Sequence, residues 1–170
     1  DYMTRSWFYF YAALRAVADG LRALDAPKTA DALGAEELGA ARAFGKFVQG
    51  ISHGWVANLY DQSWIYSESV DTDTVRFVPG STQVQDLIRP YTEVRDTALA
   101  ELTAALAIAQ AGSFSLPGEY TAAWVPGVPM SNTEFDKLIR SYMVRFMVYS
   151  ARTPAERAAV NWNQVIALID

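Results

Sequence analysis

The sequence predicts an all-α fold of stacked antiparallel helical hairpins, and three observations carry the prediction. Apolar residues recur at steps of three and four along most of the chain, while the period-two alternation of a half-buried strand is nearly absent. Breaker-rich stretches at Asp25-Ala26-Pro27, at residues 61–85 and at residues 112–131 interrupt that pattern. Two start signals, Ser131 with Glu134 and Thr153 with Glu156, place a capping Ser or Thr three residues before a Glu. Together these define five helical segments.

The first helix is expected over residues 4–24, with a stripe of Trp7, Tyr11, Leu14, Val17 or Ala18, and Leu21. The second runs from about residue 35 to 60 on Phe44, Phe47, Val48, Ile51, Trp55 and Leu59. It carries Gly39, Gly45, Gly50 and Gly54, each costing roughly 1 kcal/mol of helix propensity against Ala. Such a helix needs tertiary packing, and its glycines suggest that another backbone lies close. Residues 61–85 form a Ser-, Thr- and Asp-rich connection with a turn at Pro79-Gly80. Pro90 suits the first turn of the third helix, whose stripe is Tyr91, Val94, Ala98, Leu102, Ala105 and Ala109 and whose end is Gly112.

Residues 112–131 hold three prolines and three glycines, so no regular element is expected in this long Pro/Gly-rich loop, which carries Tyr120 and Trp124. The fourth helix follows Ser131 on Phe135, Leu138, Ile139, Tyr142, Met143, Phe146 and Met147. The fifth follows Thr153 and Pro154 and is striped by Trp162, Val165, Ile166 and Ile169 up to the chain end. Helices paired by short connections argue for a tetratricopeptide-like stack, although no clean internal period is visible.

Composition bounds the function. With 170 residues, 51% hydrophobic and 19% charged, the chain is expected to form one globular helical domain that buries roughly 70% of its unfolded surface. A net charge of -5 is the wrong sign for a nucleic-acid footprint. No cysteine is present and His53 is the one histidine, which removes disulfides, thiolate zinc sites and most Ser/Cys–His pairs. No enzyme activity, metal or cofactor is expected. The longest apolar run, residues 7–14, is far short of the ~20 residues that span a bilayer. A start at Asp1 without a leader, and a last stripe without a C-cap, read as a partial or processed chain.

Several polar groups invite a sharper reading. His53, between Ile51 and Trp55, reads as a packed or hydrogen-bonded imidazole. Asp71-Thr72-Asp73-Thr74 lacks the glycine and distal glutamate of a calcium loop and reads as a solvated turn. Glu93, Asp96 and Glu101, with Arg89 and Arg95, fit an exposed helical face laced by i,i+4 pairs. Trp64 and Tyr66, with Asn58, Asp61 and Gln62, have the composition of a sugar site: rings stack on the apolar face of a pyranose and the polar groups bond its hydroxyls. The alternative is that Trp64 and Tyr66 fold back over the end of the second helix. Tyr120 and Trp124 suit a partner contact, or simply pack on the body.

Four segments carry a family likeness. KFVQGISHGWVANLY (46–60) resembles the "AKFLRALAYFYLVNLYGDVPL" helix of SusD/RagB-like proteins, and Trp7, Tyr11 and Leu14 are similar to that family's W-x3-Y-x2-I helix. YMVRFMVYSA (142–151) resembles "LLARVYLYAG", with Arg145 on its arginine, and NWNQVI (161–166) resembles "dWakAaayAdaVI". The resemblance covers the N-terminal, tetratricopeptide-like part of a longer family. It implies a lipid-anchored protein on the outer membrane or periplasmic face of a Gram-negative bacterium that binds a glycan and sits on a TonB-dependent transporter. This chain has Asp61-Gln62-Ser63-Trp64 at the family's GDVP turn and Gln49-Gly50 at its RA pair. Those departures leave an alternative open: a helical accessory or scaffold subunit docked on a larger membrane protein complex.

Overall fold

The computed structural model describes residues 2–70, 88–122 and 127–169. The elements in chain order are α1 (Tyr2–Asp25), α2 (Pro27–Ala32), α3 (Ala35–Leu59), β1 (Gln62–Trp64), β2 (Ile88–Pro90) and α4 (Tyr91–Ala111). They continue with β3 (Ser115–Leu116), α5 (Gly118–Thr121), β4 (Met130–Ser131), α6 (Asn132–Tyr149), α7 (Pro154–Ala158) and α8 (Trp162–Ile169). The fold is all-α, and its long helices stack in sequence: α1 on α3, α3 on α4, α4 on α6 and α6 on α8, with α6 also reaching α3.

The α3–α4 contact is the most extensive, and small residues make it so. Of the expected α4 stripe, Val94, Ala98, Leu102, Ala105 and Ala109 are fully buried, while Tyr91 at the start of the helix is half-buried. Opposite it lies Gly50, where an added Cβ would stand 2.6 Å from Leu102 Cγ and 3.1 Å from the Ala98 carbonyl oxygen. At Gly54 the close neighbour is the Phe146 ring of α6, and at Gly45 it is the Leu21 side chain of α1. The neighbour expected at the glycines is thus a backbone only at Gly50; at Gly39, Gly45 and Gly54 it is a large side chain. Phe47, Leu102, Phe135, Ile139 and Phe146 centre the core, each worth roughly 1.5–3 kcal/mol of burial.

Because α3 touches α1, α4 and α6, its stripe differs from the expected one. Phe47 is fully buried, but Phe44, Val48, Ile51 and Trp55 are half-buried and Leu59 is exposed, while Gln49, Ser52 and His53 are deeply buried. On α1 the choice between Val17 and Ala18 falls to Ala18, which is fully buried. Pro90 lies one residue before the helix it was expected to begin, as the N-cap of α4.

Two short strand pairs tie the connections down. β1 and β2 run antiparallel, with Ser63 opposite Arg89, and Asp61 accepts from Tyr91 N–H at 2.9 Å. The Pro/Gly-rich loop is more regular than expected, since β3 pairs with β4 and α5 lies between them. Asn132 seals its base by donating through Nδ2 to the carbonyls of Ala109 and Gly112 at 2.9 Å. The capping boxes at Ser131–Glu134 and Thr153–Glu156 both form. The expected fifth helix, however, is two: α7 ends at Ala158, and the chain turns through 159–161 into α8. Of the stripe expected there only Val165 is buried; Trp162, Ile166 and Ile169 are 52%, 55% and 69% exposed. A helix of eight residues lying mainly on α6 buries one side.

Candidate functional site

The end of α3 and the chain that follows it through β1 carry Asn58, Asp61, Gln62 and Trp64. Tyr60 takes an extended conformation at the C-cap, which stops the helix and leads into β1. The ring of Trp64 then lies edge-on to Trp7 and Tyr11, each with centroids 5.7 Å away, and Trp7 also meets Tyr60 at 4.9 Å. Tyr11 clamps the strand below that ring: its hydroxyl donates to the Trp64 carbonyl at 2.7 Å and accepts from Trp64 N–H at 2.8 Å. Burial pushes the Tyr11 phenol up to about 12, against the smaller opposing effect of the Trp64 backbone bond.

Tyr66, two residues on, belongs to a different neighbourhood. Its backbone N–H donates to Nε2 of His53 at 3.1 Å. His53 is fully buried, and burial lowers its pKa to about 4, with the Gln49 carbonyl one turn back pulling the other way. Nδ1 has no hydrogen-bond partner among the described residues. The imidazole is therefore neutral and acts as an acceptor, matching the expected packed and hydrogen-bonded histidine.

Residues 65–70 are latched along α3 and α1. The Glu68 carboxylate accepts from Lys46 at 2.5 Å and from buried Gln49 at 2.7 Å, and Lys46 also pairs with Glu101 at 2.9 Å. Burial opposes both charges, yet the hydrogen bonds outweigh it, holding the carboxyl of Glu68 below its usual range and raising the amine of Lys46. Arg22 donates to the carbonyls of Glu68 and Val70, each at 2.9 Å. Glu101 thus turns inward to Lys46 and leaves the exposed face expected of it. Arg89 and Glu93 do form an i,i+4 pair, at 3.4 Å.

The remaining members of the sugar-site group diverge. Asp61 is 92% exposed and pairs with Arg152; Gln62 is exposed; Asn58 is half-buried, its Oδ1 lacking a hydrogen-bond partner among the described residues. Arg152 was not legible as a key residue. It donates to the carbonyls of Ala57 at 2.5 Å and Tyr60 at 2.8 Å, so it caps α3, and its guanidinium stacks 3.9 Å over Tyr91. Glu156 braces the same corner. The Tyr91 hydroxyl, together with the backbone and side chain of Thr153, holds its carboxyl down to about 2. The Thr153–Glu156 capping signal was the available pointer to that corner.

Tyr120 stacks on Phe44 with centroids 5.1 Å apart and planes 25° apart, and is 47% exposed. It edges an apolar groove of about 310 Å³ between α1 and α3, with Val17, Leu24 and Phe44 among its walls. Trp124, the Asp71–Thr74 run and Pro79-Gly80 lie outside the described residues. Among the described residues no three His, Asp or Glu side chains converge as metal ligands, and no helix is long and apolar enough to cross a membrane.

Chemically, the segment after α3 carries an exposed amide, Gln62, an exposed carboxylate paired with Arg152, Asp61, and a half-buried indole, Trp64. Such a set can hydrogen-bond hydroxyls and cover an apolar ring face. No family model, no curated protein and no solved structure matches the chain.

Proposed function

We propose that the chain is a non-enzymatic binding module of the SusD-like kind, tetratricopeptide-like in its stacking. In this reading it captures a glycan or other nutrient at the outer-membrane or periplasmic surface of a Gram-negative bacterium for a TonB-dependent transporter. The observation that carries the reading is the way the four family-like segments meet. Residues 46–60 form the C-terminal half of α3; Trp7 of the α1 segment packs edge-on to Tyr60 at 4.9 Å, and Phe146 of the α6 segment fills the space before Gly54. The segment at 161–166 enters α8, which lies on α6. Segments far apart in sequence thus pack on one another, which supports reading them together.

Purification under mild detergent from native membranes, with mass spectrometry of everything that comigrates, tests the reading. A TonB-dependent transporter in the complex supports it, as does quenching of tryptophan emission by an oligosaccharide panel with loss of the effect in Asp61→Ala. A chain that comigrates with no membrane protein and binds no glycan sinks it.

The scaffold reading is favoured by one feature. Among the described residues, Trp162, Ile166 and Ile169 leave an exposed apolar stripe on α8. If that stripe anchors a docked subunit, Trp162→Glu releases the chain from its membrane assembly while glycan titrations stay flat.

A further inference from the structure

We propose that the α3–α6 face centred on Arg145 docks an acidic segment of the partner protein. The inference rests on the reading of the chain as a membrane-complex component and names the surface that engages it. The Arg145 guanidinium stands over two rings at once, 5.7 Å from the Trp55 centroid and 5.4 Å from that of Tyr142. Both distances lie within cation–π range. The rings are themselves fixed from below, Trp55 on Phe146 at 5.9 Å and Tyr142 on Phe47 at 5.5 Å. The cation is therefore held in place before any partner arrives.

No carboxylate pairs with Arg145 among the described residues, as with Arg5, Arg15 and Arg157, whereas Arg22, Arg42, Arg89, Arg95, Arg140 and Arg152 each have one; Arg145 alone of these four unpaired arginines stands over aromatic rings. The segregation extends along both helices. In a chain of 19 acidic residues, neither residues 38–59 of α3 nor residues 137–149 of α6 contain an Asp or a Glu. The helices run parallel here, since Phe47 meets Phe135 and Gly54 meets Phe146. Leu59, one turn beyond Trp55, and Tyr149, one turn beyond Arg145, therefore extend the same face, and both are exposed.

Arg, Trp and Tyr are the residue types that dominate binding hot spots, and stacked helical hairpins use such extended faces for binding. A fixed guanidinium flanked by rings selects a carboxylate with an apolar neighbour, because the rings exclude water from the ion pair and the fork matches both carboxylate oxygens. That chemistry is an acidic peptide segment on a protein. A phospholipid surface would call for several cations on one face, and this face offers one that is unpaired.

The test is made on the protein in its native membrane complex. p-Benzoylphenylalanine is placed at Tyr149, the complex is irradiated, and the adduct is mapped by mass spectrometry. In parallel, partner recovery is measured for Arg145→Glu, Arg145→Lys, Tyr149→Ser and, as a control on α1, Arg15→Glu. The expected result is an adduct within about four residues of an Asp or Glu, and at least a tenfold loss of partner with Arg145→Glu. Arg145→Lys is expected to lose less, and Arg15→Glu nothing. Changing the mapped carboxylate to Lys should restore recovery with Arg145→Glu. Tyr149→Ser, at a 66% exposed position, keeps the test open if a change at Arg145 disturbs folding. Undiminished recovery with Arg145→Glu, or an adduct far from any carboxylate, overturns this face and leaves the membrane-complex reading standing. Wild-type chain that recovers no partner overturns both. Arg145-dependent binding to phosphatidylglycerol vesicles without a partner overturns the protein segment in favour of a lipid surface.

Discussion

Tyr66 donates its backbone N–H to Nε2 of His53 at 3.1 Å, so the one histidine of the chain serves as a fixed acceptor holding the 65–70 latch against α3. The bond requires a neutral ring, and burial supplies one by lowering the pKa from 6.5 to about 4. The unfolded chain takes up the proton first. Stability is therefore level above about pH 6.5 and falls as the pH drops from there toward 4, by up to about 3 kcal/mol. His53→Gln keeps an acceptor and removes the titration. Urea midpoints measured from pH 7 to 4.5 should slope for the wild type and flatten for His53→Gln; equal slopes would refute the latch.

Glu68 titrates in a lower window. Hydrogen bonds from Lys46 and Gln49 hold its carboxyl below the usual range despite the opposing effect of burial. Its contribution is present above the ordinary carboxylate range and is lost as the pH falls through the lowered value. Glu68→Gln should leave the slope between pH 6.5 and 5 intact and reduce the loss of stability below it.

Gly54 and Gly20 should respond to alanine with opposite signs. A Cβ at Gly54 would stand 2.3–2.5 Å from three carbons of the buried Phe146 ring, whereas nothing lies within 4 Å of one at Gly20. Gly54→Ala is expected to destabilise by about 1–3 kcal/mol through overpacking. Gly20→Ala, in the interior of α1, should stabilise by up to about 1 kcal/mol through helix propensity. Thermal melts of the two variants check the pair.

Arg152 joins the end of α3 to the start of α4 by capping carbonyls and stacking on Tyr91 in one side chain. Arg152→Lys keeps the charge and loses the planar fork, so it should destabilise by about 1–3 kcal/mol, nearly as much as Arg152→Ala. Full rescue by lysine in chemical denaturation would show that charge alone matters there.

Tyr11→Phe removes one hydroxyl that makes two bonds to the Trp64 backbone. A loss of about 1–2 kcal/mol is expected. Tryptophan emission should shift to the red in the folded state as β1 loosens and Trp64 gains water.

The helix boundaries were legible wherever local chemistry sets them. Ser131 and Thr153 each present an oxygen to the N–H three residues on, and the α4 stripe shows as a run of alanines and leucines at one helical spacing. The break between α7 and α8 was not legible, because Thr153 and Trp162 each carry a plausible helix pattern and nothing local marks residues 159–161 as a corner. The polar-aromatic group was legible as composition only. Asp61 belongs to Arg152, ninety-one residues away, and Tyr66 to His53, while Trp64 joins Trp7 and Tyr11 of α1.

What the sequence determined by itself was the helical class, the order of the long helices and the packed, hydrogen-bonded role of His53. Each of these is a property of spacing or residue type within one segment. The tertiary structure decided which side of α3 is deepest, that Glu101 turns in to Lys46, and that Arg145 stands over Trp55. The physical reason is that α3 is shared by three neighbouring helices. The burial of its side chains, and the partners of its charges, depend on groups brought to it from distant parts of the chain, and no periodicity within one segment records them.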